Sequence, residues 1–453
     1  MKKINLTIAA LTICSMIGYA ADKPAPLYWS AYEYCYEAAN GSATDNTYIP
    51  EDEWKKNIDW MADNLKDYGY TMVCIDGWGT TNDGGSWSGN GYRKKHDDHW
   101  QHDYAYWADY LKSKGMTLGI YQNPLWINMA KGDNYIKGTN IKIKDIVSGL
   151  PATWFSWVDP TKNGAEEYVK GYVKYYADMG VSYLRVDFLS WYEDGIDRQP
   201  DFTARSNRPI EHYQTALRWM KEACDEYGVT LSLVMPHLYN HAINERTYAP
   251  GSLIRINDDV CDGKWWRFSD MERGVKHDIW PTYYNAFDGF IHWSDLSGKN
   301  KNNMILDGDF TRLNTFSDDN ERKSCISLQI IAGGPVAVAD RYNTIGNNLW
   351  LYQNRELLAL HNQNFIGHPL STDVGSAKSQ IWIGKTDECD YILALFNRAD
   401  GAKTVNVDFK EVFGFDSPVE VRDLWEHRDL GKMSSVSVSI PRRGCMIYRL
   451  KSN

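Results

Sequence analysis

Cysteine is thinly spread here, with eight residues in 453 and no CxxC pair among them. That pattern argues against a zinc ribbon, a redox motif or a disulfide framework. No run of basic residues stands out, and 49 Lys and Arg against 59 Asp and Glu leave a net charge of −10. A nucleic-acid partner is therefore not expected, because phosphate contacts need a cationic face. Beyond the first twenty residues no stretch reaches the roughly 18 apolar residues of a membrane span. HExxH is missing, and the glycines of Gly84-Gly85 and Gly89-Asn90-Gly91 lack the strand-GxGxxG-helix setting of a nucleotide site. There is no internal repeat and no low-complexity linker, so whatever domains exist read as packed together.

What is present begins with Lys2 and Lys3, a largely apolar run from Ile4 to Ile17, and Gly18-Tyr19-Ala20. This is the layout of a secretory leader cleaved after Ala20, so the mature protein is expected to be exported, periplasmic or secreted. The composition is globular, with 43% apolar and 24% charged residues, and aromatic side chains make up 14%. Flat amphipathic rings in that number suit sugar-binding clefts.

From about residue 26 to 365 short apolar runs alternate with helical patterns eight times. The expected strands are Pro26 to Tyr32, Tyr70 to Trp78, Met116 to Asn123, Ser182 to Phe188, Val229 to Pro236, Leu253 to Asp258, Gly289 to Asp295 and Pro335 to Asp340. Between them, Trp54, Ile58, Met61 and Leu65 mark one helix face and Tyr213, Leu217, Met220 and Cys224 another. Eight βα units predict an α/β fold, a (β/α)8 TIM barrel over 21–367. After residue 368 short alternating strands predict a C-terminal antiparallel β-sandwich over 368–453.

Such a barrel places reactive groups at the C-terminal ends of its strands. That position nominates Asp76, Asp187, Asp258, Asp259 and Asp340. Strand alternation links Arg185 to Asp187 on one face and Arg255 to Asn257 and Asp259, turning Asp258 away. Two carboxylates across one mouth suit a nucleophile and a general acid/base for glycosidic cleavage. The competing reading is that these acids cap helices or pair with the two arginines. His96-Asp97-Asp98-His99 and His102 raise the question of a metal, but a polar loop at the cleft rim accounts for them better, and no metal is expected.

Several motifs, in order along the chain, resemble glycoside hydrolase family 27, the α-galactosidase and α-N-acetylgalactosaminidase family. They are Pro26-Leu27-Tyr28-Trp29, Leu118-Gly119-Ile120-Tyr121, Tyr183-Leu184-Arg185-Val186-Asp187, Arg255-Ile256-Asn257-Asp258-Asp259, Ile331-Ala332-Gly333-Gly334-Pro335, Glu356 to Gln363 and Val421-Arg422-Asp423-Leu424-Trp425. The resemblance implies a retaining exo-glycosidase needing no cofactor, with Asp187 as nucleophile and Asp259 as acid/base. It also implies that Trp29 stacks on a sugar while Asp76, Tyr121, Arg185, His237 and Arg255 meet its hydroxyls. The substrate would be a terminal α-linked galactose-like sugar of an oligosaccharide or polysaccharide. A β-L-arabinopyranoside, an α-N-acetylgalactosaminide or a merely sugar-binding role are the alternatives. Departures bear on that choice: Ile75-Asp76 replaces a pair of acids, Arg185 replaces a lysine, and Val234 stands where the family has a glutamate. Ile75 is therefore expected to deny a partner to the sugar's C6 arm.

Overall fold

The computed structural model describes residues 25–34, 49–77, 79–148, 155–196, 207–260, 263–278, 280–298 and 303–451. The expected leader lies outside them, as does Trp78. Nine parallel strand segments form the inner wall: β1 (Leu27–Ser30), β2 (Met72–Ile75), β3 (Thr117–Tyr121), β4 (Val181–Val186), β5 (Thr230–Leu233), β6 (Leu253–Arg255), β7 (Ile305–Asp307), β8 (Phe310–Thr311) and β9 (Val336–Val338). The sheet runs β7-β6-β5-β4-β3-β2-β1-β9-β8. Its two ends, β7 and β8, are separated only by Gly308 and Asp309, so one broken strand closes the ring: its first half pairs with β6 and its second with β9. Eight strands in a closed parallel ring are a (β/α)8 barrel.

One expected strand is a helix instead. Gly289 to Asp295 falls in Ala286–His292 and the turn Ser294–Leu296, started by Asn285, whose side-chain oxygen accepts the Asp288 N–H at 2.8 Å. Phe287, Phe290 and Ile291 are all fully buried. An apolar run buried all round carries no period that separates strand from helix. The true seventh strand hid because it carries Asp307 and Asp309.

Alternation sorts each strand into two faces. Tyr28, Met72, Cys74, Tyr183, Leu253, Phe310 and Ala337 fill the barrel interior. Trp29, Val73, Ile75, Leu184 and Val186 face the helical layer, where Trp54, Ile58 and Met61 of Glu51–Asn64 pack against them. No helix among the described residues is long and apolar enough to cross a membrane. The five described cysteines are free thiols.

The C-terminal domain is a six-stranded antiparallel sheet in the order His368–Pro369, Ile381–Lys385, Tyr391–Phe396, Cys445–Lys451, Val419–Asp423, Arg428–Met433. An antiparallel pair of strands, Lys403–Asp408 and Ser435–Ile440, faces it. Leu393, Leu395, Val407, Phe409, Val421, Val436 and Leu450 form its own core.

Candidate active site

The mouth of the barrel is organised by two buried arginines. Arg185, inward on β4, is ringed by carboxylates: Asp76 lies 3.3 Å from Nε, Asp307 2.9 Å from Nη1 and Asp309 3.2 Å from Nη2. Arg255, inward on β6, offers Nη2 to Asp309 at 2.6 Å and to Asp259 at 3.1 Å. Each arginine is only 1–2% exposed, so its charge is balanced by acids rather than water, as burial requires. Asp309 touches both.

Asp187 follows β4, on the side of Arg185 as alternation demands. Its Oδ2 accepts the Tyr121 hydroxyl and its Oδ1 the backbone N–H of Phe188, both at 2.6 Å, while Asn123 Nδ2 donates to its backbone oxygen at 2.6 Å. Phe188 has a left-handed φ of 63°, which turns the chain sharply into the helix Leu189–Asp194 and leaves the carboxylate at the mouth. Left-handed backbone at a non-glycine residue is strained, and such strain clusters at active sites. Burial pushes the Asp187 carboxyl up to about 6, and the Asp259 charge pushes the same way, against its hydrogen bonds from Tyr121 and Phe188 and the charge of Arg185. Burial likewise raises Asp76 to about 6, opposed by Arg185 and reinforced by Asp187.

Asp259 differs. Its side chain is 54% exposed and rests on Arg255, open to the solvent from which a proton or water must come. Asp258 turns away, its Oδ1 accepting from Lys276 Nζ at 3.0 Å. Tyr121 sits between the acids; burial first, then the Asp187, Asp76 and Asp259 charges, hold its hydroxyl protonated well above the usual phenol range. His237, 7% exposed, precedes the helix Leu238–Tyr248, with Nε2 3.9 Å from Asp194.

Three expectations fail on geometry. Trp29 points outward and is fully buried beside Trp54, its Nε1 donating to the Asp340 carbonyl at 2.9 Å, so no ring face is left for a sugar. Ile75 is 1% exposed on the same outer side, and cannot wall off a sugar's C6 arm. Asp340 is a cap: it accepts the Leu313 and Asn314 N–H groups at 2.8 and 2.9 Å and the Tyr352 hydroxyl at 2.8 Å. The histidine-rich loop is a brace. Asp97 accepts the Thr80 N–H and holds His99, while Asp98 accepts the Asn82 and Asp83 N–H groups. Asp307 and Asp309 were missed altogether, although an acid on each side of a glycine, directly after Met304-Ile305-Leu306, was a readable signal.

Residues 376–450 match the family described as the alpha galactosidase C-terminal beta sandwich domain. Over 448 residues the chain is 42% identical to the isomalto-dextranase of Arthrobacter globiformis, covering 94% of this chain and 67% of that enzyme. The chain belongs to glycoside hydrolase family 27. The solved structure of the Arthrobacter globiformis T6 isomalto-dextranase complexed with panose superimposes with a TM-score of 0.84 at 41% identity, covering 96% of this chain and 74% of that one. A family 27 β-L-arabinopyranosidase from Geobacillus stearothermophilus shares the fold, with a TM-score of 0.73 at 21% identity over 97% and 98% of the two chains. The α-galactosidase of Lachancea cidri is 23% identical over 77% of this chain and 68% of its own length. The protein is thus a family 27 glycoside hydrolase, and its buried acids and arginines surround the mouth where a barrel of this kind does its chemistry.

Proposed function

We propose that this family 27 enzyme is a retaining hydrolase of α-(1→6)-linked glucan that works from the non-reducing chain end. Asp187 attacks the anomeric carbon and Asp259, protonated, gives its proton to the leaving oxygen. Asp259 then takes a proton from the water that cleaves the glycosyl-enzyme, and two inversions leave the anomer retained. The difference in environment supports that division. Asp187 is buried and held from both sides by Tyr121 and the Phe188 N–H, as a nucleophile with a fixed trajectory should be. Asp259 is half exposed, as a group exchanging protons with water should be. Tyr121, Asp76, Arg185, His237 and Arg255 remain the groups available to the sugar's hydroxyls.

The observation that carries the substrate is the 42% identity to an isomalto-dextranase across 94% of this chain, against 23% to an α-galactosidase. The galactose-like expectation came from the family resemblance; Ile75, the departure weighed against it, and Trp29 both face away from the site. The test is a panel of dextran, isomaltotriose, aryl α-galactoside, aryl β-L-arabinopyranoside and aryl α-N-acetylgalactosaminide, with proton NMR of the first product. Dextran and isomaltotriose should be cleaved with the α-anomer appearing first. A β-anomer would overturn retention, preference for the galactoside would overturn the glucan, and no turnover at all would leave a binding protein. Export, from the leader at residues 1–20, is tested by N-terminal sequencing of protein recovered outside the cytoplasm.

A further inference from the structure

Asp309 takes no part in the double displacement, yet the two halves of the site meet on it. Its side chain is 1% exposed and its backbone is left-handed, with φ 74°. Oδ1 accepts from Arg185 Nη2 at 3.2 Å; Oδ2 forms an ion pair with Arg255 Nη2 at 2.6 Å and accepts the Val260 N–H at 2.8 Å. Val260 directly follows Asp259, so one carboxylate holds both the cation beside Asp259 and the peptide after it. Arg255 Nη2 thus lies against two carboxylates, paired with Asp309 at 2.6 Å and donating to Asp259 at 3.1 Å.

A general acid must carry a proton, and an unshared guanidinium at hydrogen-bond distance favours its loss. The other charges facing Asp259 come from several elements. Asp187, just after β4, is a carboxylate above about pH 6, and Tyr121 on β3 is neutral. Lys276, on the hairpin after β6, is positive, as is Arg267, whose Nη1 donates to the Asp259 carbonyl at 3.2 Å. Three cations thus bear on Asp259; Asp258 pairs with Lys276 at 3.0 Å and lies 3.7 Å from Arg267, and Asp309 is the acid that engages Arg255, the nearest of the three. Resting on the reading of Asp259 as acid/base, we propose that Asp309 is a positioning residue that draws the charge of Arg255 onto itself and so lets Asp259 take up the proton the leaving oxygen needs.

The test is Asp309→Asn, which keeps an acceptor for Val260 and removes the charge. Arg185 retains Asp76 and Asp307 in this variant. The readout is the basic limb of the kcat/KM profile with isomaltotriose, and the loss on that substrate relative to 4-nitrophenyl α-isomaltoside, whose leaving group needs little protonation; the galactosyl pair replaces them if the panel selects galactose. The limb should move to lower pH by about one unit, and at neutral pH the loss on the oligosaccharide should exceed that on the aryl glycoside by about tenfold. Asp307→Asn, which removes the charge nearest Arg185 and keeps an acceptor for the Asp309 N–H, should move the limb by much less than Asp309→Asn. A folded Asp309→Asn with an unmoved limb, or an equal movement in Asp307→Asn, overturns the proposal. If Asp309→Asn does not fold, Arg255→Gln must move the limb to higher pH, and an unmoved or lowered limb overturns it. Asp259→Ala, run on the same two substrates, separates the two ideas. Equal loss on both defeats the acid/base reading, whereas selective loss on the oligosaccharide with an unmoved Asp309→Asn limb defeats only the role of Asp309.

Discussion

Asp187, the proposed nucleophile, can act only as a carboxylate, and burial makes that form hard to keep. With its folded value pushed up to about 6 by burial and by Asp259, kcat/KM should fall as pH drops through about 6. Removing the second of those causes should move the same limb to lower pH, so Asp259→Asn, assayed on an activated aryl glycoside, is expected to titrate more acidic than the parent. Stability follows with its own sign. A carboxyl raised in the folded state stabilises it below the unfolded value of about 4, and that contribution is lost as pH rises through about 6. Asp187→Asn should therefore abolish turnover while raising the melting temperature at pH 7.5, by up to about 3 kcal/mol of stability, and should show little gain at pH 4. Melting curves at the two pH values check this, and an equal gain at both would show that the buried charge is not its source.

The broken seventh strand gives the site its charge pattern. A regular strand would pair with β6 and β9 along its whole length; here the first half pairs with β6 and the second with β9. The break at Gly308-Asp309 allows both, with the Asp309 N–H donating back to Asp307 Oδ1 at 2.8 Å. Gly308 is required there for space. A Cβ on it would lie 2.4 Å from Phe290 Cε2 and 2.8 Å from Cζ, and Phe290 is fully buried in the helix Ala286–His292. Gly308→Ala should destabilise by about 1–3 kcal/mol through overpacking. It should also lower kcat, because the displaced carboxylates hold both arginines. A denaturant midpoint equal to the parent's would mean that Phe290 yields freely.

At the scale of the whole molecule the sandwich clamps the segment that carries Asp259, the proposed acid/base. Arg398, just past the strand Tyr391–Phe396, is inserted into the barrel. Nη1 meets Asp288 at 2.6 Å, Nε the Ser269 hydroxyl at 2.8 Å, and Nη2 the Ser269 carbonyl at 2.9 Å, with the guanidinium over the Phe287 ring. Ser269 and Asp288 belong to the connection between β6 and β7, the excursion that begins at Asp259. Deleting one partner of a buried ion pair strands the other, so Arg398→Ala should destabilise by about 3–5 kcal/mol. The barrel and sandwich should still melt together, since Trp425 Nε1 also donates to Ser327 Oγ across the boundary at 2.8 Å. Calorimetry resolving two separate transitions would instead make the sandwich an independent unit.

The sequence by itself determined the barrel-and-sandwich architecture and brought Asp76, Asp187, Arg185, Arg255 and Asp259 to one mouth. Alternating apolar runs and helical faces are local signals, and the alternation that ties Arg185 to Asp187 and sets Asp259 apart from Asp258 is geometry that any extended strand obeys. Only the tertiary structure decided which face of each strand turns inward, because in a parallel sheet both faces are apolar and the pattern is the same from either side. That is why Trp29 and Ile75 read as site residues and are packing residues. It also decided that Asp76, Asp307 and Asp309, from strands far apart in the chain, share Arg185. Charge compensation in a buried site depends on distances across the barrel, which no local spacing records.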